Sequence, residues 1–291
     1  MANRYAVVTG GNKGIGFEIC RQLASCGILV VLTARDEKRG LQAIEDLRLK
    51  YGVSSDNIVF HQLDVADSSS ISRLSDFIKT QFGKLDILVN NAAIAGCIWR
   101  EDVLKSVPLE KIRWDEVTIN TYELAEECLQ TNYYGAKEMI QTFLPLLQLS
   151  DSPTIVNVSS GAGNLKNVKN QWAESVLGDA ENLSEERVEQ VLKKFMEDFK
   201  EGLLETKGWP SFSPGYVLSK AALNAYSRIM AKKYPSLCIN CVCPGFVRTD
   251  INLHTGNQTP EEGAKCPVKL ALLPSGSPSG RFFSGTEEAP F

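Results

Sequence analysis

Six short apolar runs, at residues 5–8, 28–32, 58–63, 87–89, 155–158 and 239–242, alternate along the chain with stretches whose apolar residues recur at helical spacing. Each run is nearly continuous in apolar residues. Strands buried on both faces of a sheet read this way, whereas a strand with one face in water alternates. Parallel neighbours need crossovers of a dozen or more residues, and the helix-like stretches supply them. The pattern predicts an α/β chain built on a doubly wound parallel sheet with helices on both faces.

Helices are expected over 15–25 before Gly27, 37–50 before Gly52, 70–82 before Gly83, 122–147 and about 217–233. The glycines suit left-handed helix ends, and Pro145 is expected to end or bend the longest helix. Two segments break the alternation. Residues 96–121 carry Trp99, Pro108 and Trp114 among mixed charges. In 161–212, Val188, Val191, Leu192, Phe195, Met196 and Phe199 form a helical stripe behind Ser184 as N-cap, with Glu185 and Glu186 in the first turn. That stripe reads as a face packed on the core. No repeat, low-complexity tract or linker divides the chain, so one domain over 1–291 is expected, with a helical insertion at about 161–212 and a substrate flap at about 96–121.

The net charge is -4 and no basic stripe is present, which argues against nucleic acid as a partner. No apolar run approaches the roughly 18 residues of a membrane span, and residues 1–5 lack a signal peptide's apolar stretch. A cytoplasmic location is expected, with the eight cysteines reduced. Cys238, Cys241 and Cys243 lie on or beside an apolar strand and the only histidines are His61 and His254, so no metal site is expected.

The first apolar run leads into Thr9-Gly10-Gly11-Asn12-Lys13-Gly14-Ile15-Gly16 and then a helix. Such a turn points backbone N–H groups and the positive end of the helix dipole outward, where a pyrophosphate can sit; side chains at Gly10, Gly14 or Gly16 would obstruct it. The spacing G-x-x-x-G-x-G departs from the common G-x-G-x-x-G. With a strand before it and a helix after it, the turn points to a Rossmann-type dinucleotide site. At the end of the second strand an NAD site usually places a carboxylate, but here Ala34 precedes Arg35. Arg35 offers a planar fork for a 2′-phosphate and Lys13 a second positive charge, so NADPH/NADP+ is the expected cofactor. Asp36 is a competing partner for Arg35.

Tyr216 and Lys220 stand four apart at the start of a helix, on one face, where the ammonium would lower the phenol's pKa toward acid–base use near neutrality. Ser159 and Ser160 close the fifth run, at the carboxyl end of a parallel strand, where ligands bind. Asn132, mid-helix, is placed to hold a water or kink the helix.

These pieces, with Asp64 and Asn90-Asn91-Ala92, resemble the short-chain dehydrogenase/reductase family along nearly the whole chain. Phrases such as Phe60-His-Gln-Leu-Asp64 and Asn132-Tyr-Tyr-Gly135 resemble its plant neomenthol dehydrogenase, menthone reductase and salutaridine reductase group. The resemblance implies Asn132, Ser160, Tyr216 and Lys220 as catalytic residues. It also implies cofactor contacts from Gly10, Asn12, Lys13, Gly14, Ile15, Gly16, Arg35, Asp64, Val65, Asn90, Val247 and Thr249, beside Tyr216 and Lys220. It further implies reduction of a hydrophobic cyclic ketone, terpenoid or alkaloid, by a monomer whose insertion covers the family's oligomer surface. Lys220 would then bond the nicotinamide ribose and Asn132 hold a water. Ala93 stands where the family has glycine, at a cost of about 1 kcal/mol if that backbone needs a positive φ. Apolar walls for the substrate are expected from 96–121, Phe212, Phe246, Ile251 and Leu253. Reduction of a conjugated C=C bond and a non-catalytic NADPH-binding protein are the alternatives; the intact Tyr216 set weighs against both.

Overall fold

The computed structural model describes residues 4–106, 113 and 116–291. The first half alternates strictly: β1 (Tyr5–Val8), α1 (Gly14–Ser25), β2 (Leu29–Ala34), α2 (Glu37–Tyr51), β3 (Ile58–Gln62), α3 (Ser68–Phe82) and β4 (Ile87–Asn90). A small hairpin, β5 (Ile98–Trp99) with β6 (Thr118–Ile119), brackets α4 (Glu101–Ser106). There follow α5 (Tyr122–Leu129), a π-helical turn (Gln130–Tyr134), α6 (Gly135–Leu147) and β7 (Thr154–Val158). The insertion holds α7 (Leu165–Val168), α8 (Gln171–Gly178) and α9 (Glu185–Lys200). The chain continues through α10 (Pro214–Lys233), β8 (Cys238–Cys243), α11 (Pro260–Ala271), β9 (Phe282–Ser284) and β10 (Glu287–Ala289).

Among the described residues the main sheet has the order β10-β9-β8-β7-β4-β1-β2-β3, every pair parallel except β9 with β10. All six apolar runs are strands, with ends shifted by a residue or two. β9 and β10 are not anticipated from the sequence, because three-residue strands on either side of Gly285 carry no readable period. The long helix is interrupted at the π turn; Pro145 lies inside the last turn of α6 and does not end it.

Local chemistry explains the helix ends. The side chains of Asp36 and Asp67 accept from Arg39 N and Ser69 N, satisfying N–H groups that a helix start leaves open. One face of the sheet packs under α3, α5, α6, α9 and α10, the other under α1, α2 and α11. In α9, Val188, Val191, Leu192 and Phe195 are buried in the first core, with Met196 and Phe199 partly buried against it. Each fully buried apolar side chain contributes about 1.5–3 kcal/mol, so the insertion is held by its own stripe. Among the described residues no helix is long and apolar enough to cross a membrane.

Strand order reverses between β1 and β4, and register keeps neighbouring strand ends within a residue or two of each other: Val8 pairs with Leu32 and Val89, Asn90 with Asn157, Val158 with Val242. The turn at 9–16 leaves β1 at this switch point. A Cβ on Gly16 would stand 2.3 Å from Gly10 O and 2.4 Å from Asn91 Nδ2, whereas one on Gly161 meets nothing nearer than Cys243 Sγ at 3.9 Å. Thermal unfolding of Gly16→Ala is therefore expected to show a loss of about 1–3 kcal/mol from overpacking, with Gly161→Ala much closer to wild type.

Candidate active site

The floor of the cleft is the glycine turn, clamped from β4. Thr9 Oγ1 accepts from Asn91 N and Ala92 N, both at 2.9 Å, and Asn91 Nδ2 donates to Thr9 O at 2.9 Å and Gly10 O at 3.2 Å. Gly10 (φ +64) and Gly14 (φ +56) take left-handed conformations that a Cβ disfavours. The N-terminus of α1 has no side-chain cap and no acid in its first turn, whereas Asp36, Asp67, Thr121 and Ser184 cap α2, α3, α5 and α9. Its open N–H groups and dipole fit a phosphate, and Asn12, Lys13 and Ile15 rim the same turn. Ala93 does not take a positive φ, so the anticipated strain is absent.

Arg35 is exposed at the end of β2, and among the described residues no carboxylate pairs with it. Asp36 is engaged elsewhere, accepting from Arg39 N at 2.9 Å and lying 3.8 Å from the Arg39 guanidinium. Lys13 differs from expectation: its ammonium is paired with Asp250, in the loop after β8. That loop lies on the glycine turn, since Thr249 Cγ2 is 3.2 Å from the Cβ position of Gly14, and Val247 is buried beneath it against Gly263. Asp64 Oδ1 accepts from Ala66 N at 2.9 Å, and Val65 packs against Gly135. The side chain of Asn90 is buried and donates from Nδ2 to Asn157 Oδ1 at 2.9 Å, while its Oδ1 has no partner.

Helix α10 opens with Pro214 after Ser213, whose φ of 39° is left-handed for a non-glycine residue. Tyr216 and Lys220 follow on one face. Lys220 is 2% exposed; its Nζ donates to Val158 O at 2.9 Å and stands 5.6 Å from the Tyr216 ring centre. Ser160 Oγ accepts from Ala162 N at 3.1 Å and lies close enough to the Tyr216 phenol to favour its ionised form. Ser159 instead donates to Asn224 Oδ1 at 2.7 Å, so of the two adjacent serines only Ser160 faces Tyr216. Asn132 sits in the π turn, where such irregularities often mark functional sites. Its Oδ1 accepts from Ile94 N at 2.9 Å, and its Nδ2 donates to Ile94 O at 3.0 Å and Ser219 Oγ at 3.1 Å. Ser219 Oγ donates on to Tyr216 O at 2.8 Å.

The electrostatics correct one expectation. Burial pushes the Tyr216 phenol above its ordinary value, with Ser160 offsetting only part, so the phenol keeps its proton at neutral pH. Burial also pushes Lys220 down from 10.5 to about 8. Loss of water around both groups outweighs their mutual effect.

At residues 96–121, Trp99 Nε1 donates to Ile251 O at 3.1 Å, and the rings of Trp99 and Phe212 are 6.2 Å apart. Flap, insertion end and post-β8 loop thus meet at one indole, while Phe246 is half-exposed at the rim. Trp114 and Pro108 lie outside the described residues.

The family model for "short chain dehydrogenase" matches residues 4–172. The chain belongs to that family. It is 58% identical to "(+)-neomenthol dehydrogenase" of Arabidopsis thaliana over 99% of this chain and 98% of the relative. Among solved structures it is similar to salutaridine reductase from Papaver somniferum (TM-score 0.91, 53% identity, 97% of this chain and 99% of the other). It is also similar to menthone neomenthol reductase from Mentha piperita (TM-score 0.88, 48% identity, 99% and 100%). As a short-chain dehydrogenase, the chain is an oxidoreductase of C=O and CH–OH groups, in a family that binds nicotinamide cofactors.

Asp250 and Ser219 were not singled out from the sequence of this dehydrogenase. Asp250 follows Thr249 directly, but a lone acid gives no sign that it reaches Lys13 from 237 residues away. Among the described residues no three metal-ligating side chains cluster, and Cys238 and Cys241 are buried thiols of β8.

The lowered Lys220 pKa makes the site a stability cost with a definite pH window. Between about 8 and 10.5 the folded chain binds fewer protons at this residue than the unfolded chain, so its contribution to stability rises with pH there. Lys220→Met is expected to melt above wild type at pH 7, and the difference to shrink as pH climbs through that window; differential scanning fluorimetry reads both.

Proposed function

We propose that this chain is an NADPH-dependent carbonyl reductase of hydrophobic cyclic ketones, terpenoid or alkaloid in class, working in either direction between ketone and alcohol. The observation that carries the reading is the Ser160, Tyr216 and Lys220 group at the carboxyl ends of the sheet, beside an uncapped glycine turn. Gly10 to Gly16 would hold the pyrophosphate, and Arg35 the 2′-phosphate, with Lys13 joining it on release from Asp250. Asp64 and Val65 would border the adenine side, and Asn90, Val247 and Thr249 the nicotinamide side.

When bound, the nicotinamide supplies the hydride to the carbonyl carbon. Ser160 Oγ and the Tyr216 phenol hold the carbonyl oxygen as charge develops on it. Because burial keeps the phenol protonated, Tyr216 is ready to donate its proton to that oxygen. Lys220, near 8, titrates close to working pH and would bond the ribose and return the proton. Asn132 has its side chain engaged, so it would hold a relay water through its main chain in the π turn. Trp99 and Phe212 would give the ring of the ketone an apolar wall. The covering of α5 and α10 by α9 supports a monomer, and the chain reads as one cytoplasmic domain.

A panel of cyclic ketones and enones, with product analysis, tests the reaction. Alcohol is the expected product; a saturated ketone, or no NADPH consumption, overturns the reading. Tyr216→Phe is expected to abolish turnover while fluorescence titration still shows NADPH binding. Arg35→Ala should weaken NADPH about tenfold and NADH much less, since only the former carries the phosphate that the guanidinium would pair.

A further inference from the structure

The insertion does more than cover a surface. Glu189, on α9, accepts from Tyr134 OH at 2.8 Å and Tyr133 OH at 3.2 Å, and Lys137 Nζ donates to it at 2.9 Å. All three donors belong to the π turn or the first turn of α6. On a regular α-helix, residues i and i+1 do not face a common partner. The phenols of Tyr133 and Tyr134 nevertheless reach one carboxylate, from within the wider π turn, with their rings 4.9 Å apart. Glu189 is therefore matched to the π conformation and would lose a donor if the turn relaxed to α.

The same turn carries Asn132 on its inner side. From Asn132 the hydrogen bonds run to Ile94 on the loop after β4 and, through Ser219, to the carbonyl of Tyr216. The π turn is thus held between two sets of contacts: Glu189 outside, the catalytic helix inside. Tyr133 is fully buried, so removing its partner leaves a phenol without water or acceptor.

We propose that Glu189 is a positioning residue for the active site, acting through Tyr133 and Tyr134 to keep the π turn in the register that sets Asn132 against Ser219 and Tyr216. The proposal rests on the reductase reading only where its test uses activity. Glu189→Leu removes both acceptors, while Glu189→Gln keeps the shape and can still bond the phenols. With the best ketone of the panel, the Leu variant is expected to lose about tenfold or more in kcat, a cost typical of small misplacements, with KM for NADPH nearly unchanged. Amide hydrogen exchange should quicken across Gln130–Tyr134 while β4 and β7 keep their protection, and the Gln variant should recover both readouts. Wild-type kcat and local exchange in the Leu variant would overturn the proposal. So would a fall in thermal midpoint with exchange raised evenly and kcat per folded molecule intact. If the wild type reduces no ketone, the reductase reading fails, and the local exchange pattern still decides Glu189.

Discussion

Parallel register at one edge of the sheet is the constraint on which the rest depends. β1, β4, β7 and β8 each end within one residue of the neighbouring strand, so the residues that follow them, Thr9, Asn91, Ser159 and Pro244, emerge at the same edge of the sheet. The segments that form the cleft come from far apart in the sequence. The clamp between Thr9 and Asn91 spans 82 residues and the bond from Lys220 to Val158 spans 62, yet each is short because its strand end is fixed by ladder pairing. A one-residue slip in any of these strands would turn its side chains to the opposite face and separate the pairs.

Burial then sets the chemistry. A phenol and an ammonium near each other in water would draw the phenol's pKa down, and that was the expectation from the spacing of Tyr216 and Lys220. Inside the fold, desolvation acts on each of them first, raising the acid and lowering the base. The result is a protonated phenol beside an amine that titrates near neutrality, which suits proton donation to a carbonyl oxygen better than a standing phenolate would. Holding Lys220 almost fully buried with Val158 O as acceptor costs stability, and the two apolar cores flanking the sheet offset it.

The sequence told more about the fold and the catalytic set than about the wiring between them. Strands buried on both faces leave continuous apolar runs, so β1 to β4, β7 and β8 were readable, whereas β9 and β10 are too short to leave a pattern. Tyr216, Lys220, Ser160 and Asn132 stand out in the sequence through spacing and family likeness, and the fold brings them to one end of the sheet. The contacts around them are not legible in the same way: Ser219 is one hydroxyl on a buried helix, Glu189 one acid among several on α9, and Asp250, which pairs with Lys13, one acid after Thr249. Each acts across a tertiary contact that no local period encodes. The π turn was half-visible, as an asparagine in a helix that it does not favour. Asp36, the competing partner for Arg35, is used locally to cap α2.

The cleft's two sides are also held with unequal strength. Its floor is backbone and buried side chain: Thr9 is 1% exposed and Asn132 1% exposed, each with several hydrogen bonds. Its roof touches down through the Trp99 indole on Ile251 O and through Lys13 on Asp250, whose side chains are 58% and 54% exposed. Exposed ion pairs contribute about 1 kcal/mol or less, while an orphaned buried polar group costs about 1–3 kcal/mol. Opening the roof thus takes less free energy than disturbing the floor. Asp250 also faces His254 Nε2 at 2.9 Å, so it keeps a partner when Lys13 leaves. A dinucleotide entering here would exchange one solvent-screened contact, and the buried residues beneath it would keep theirs.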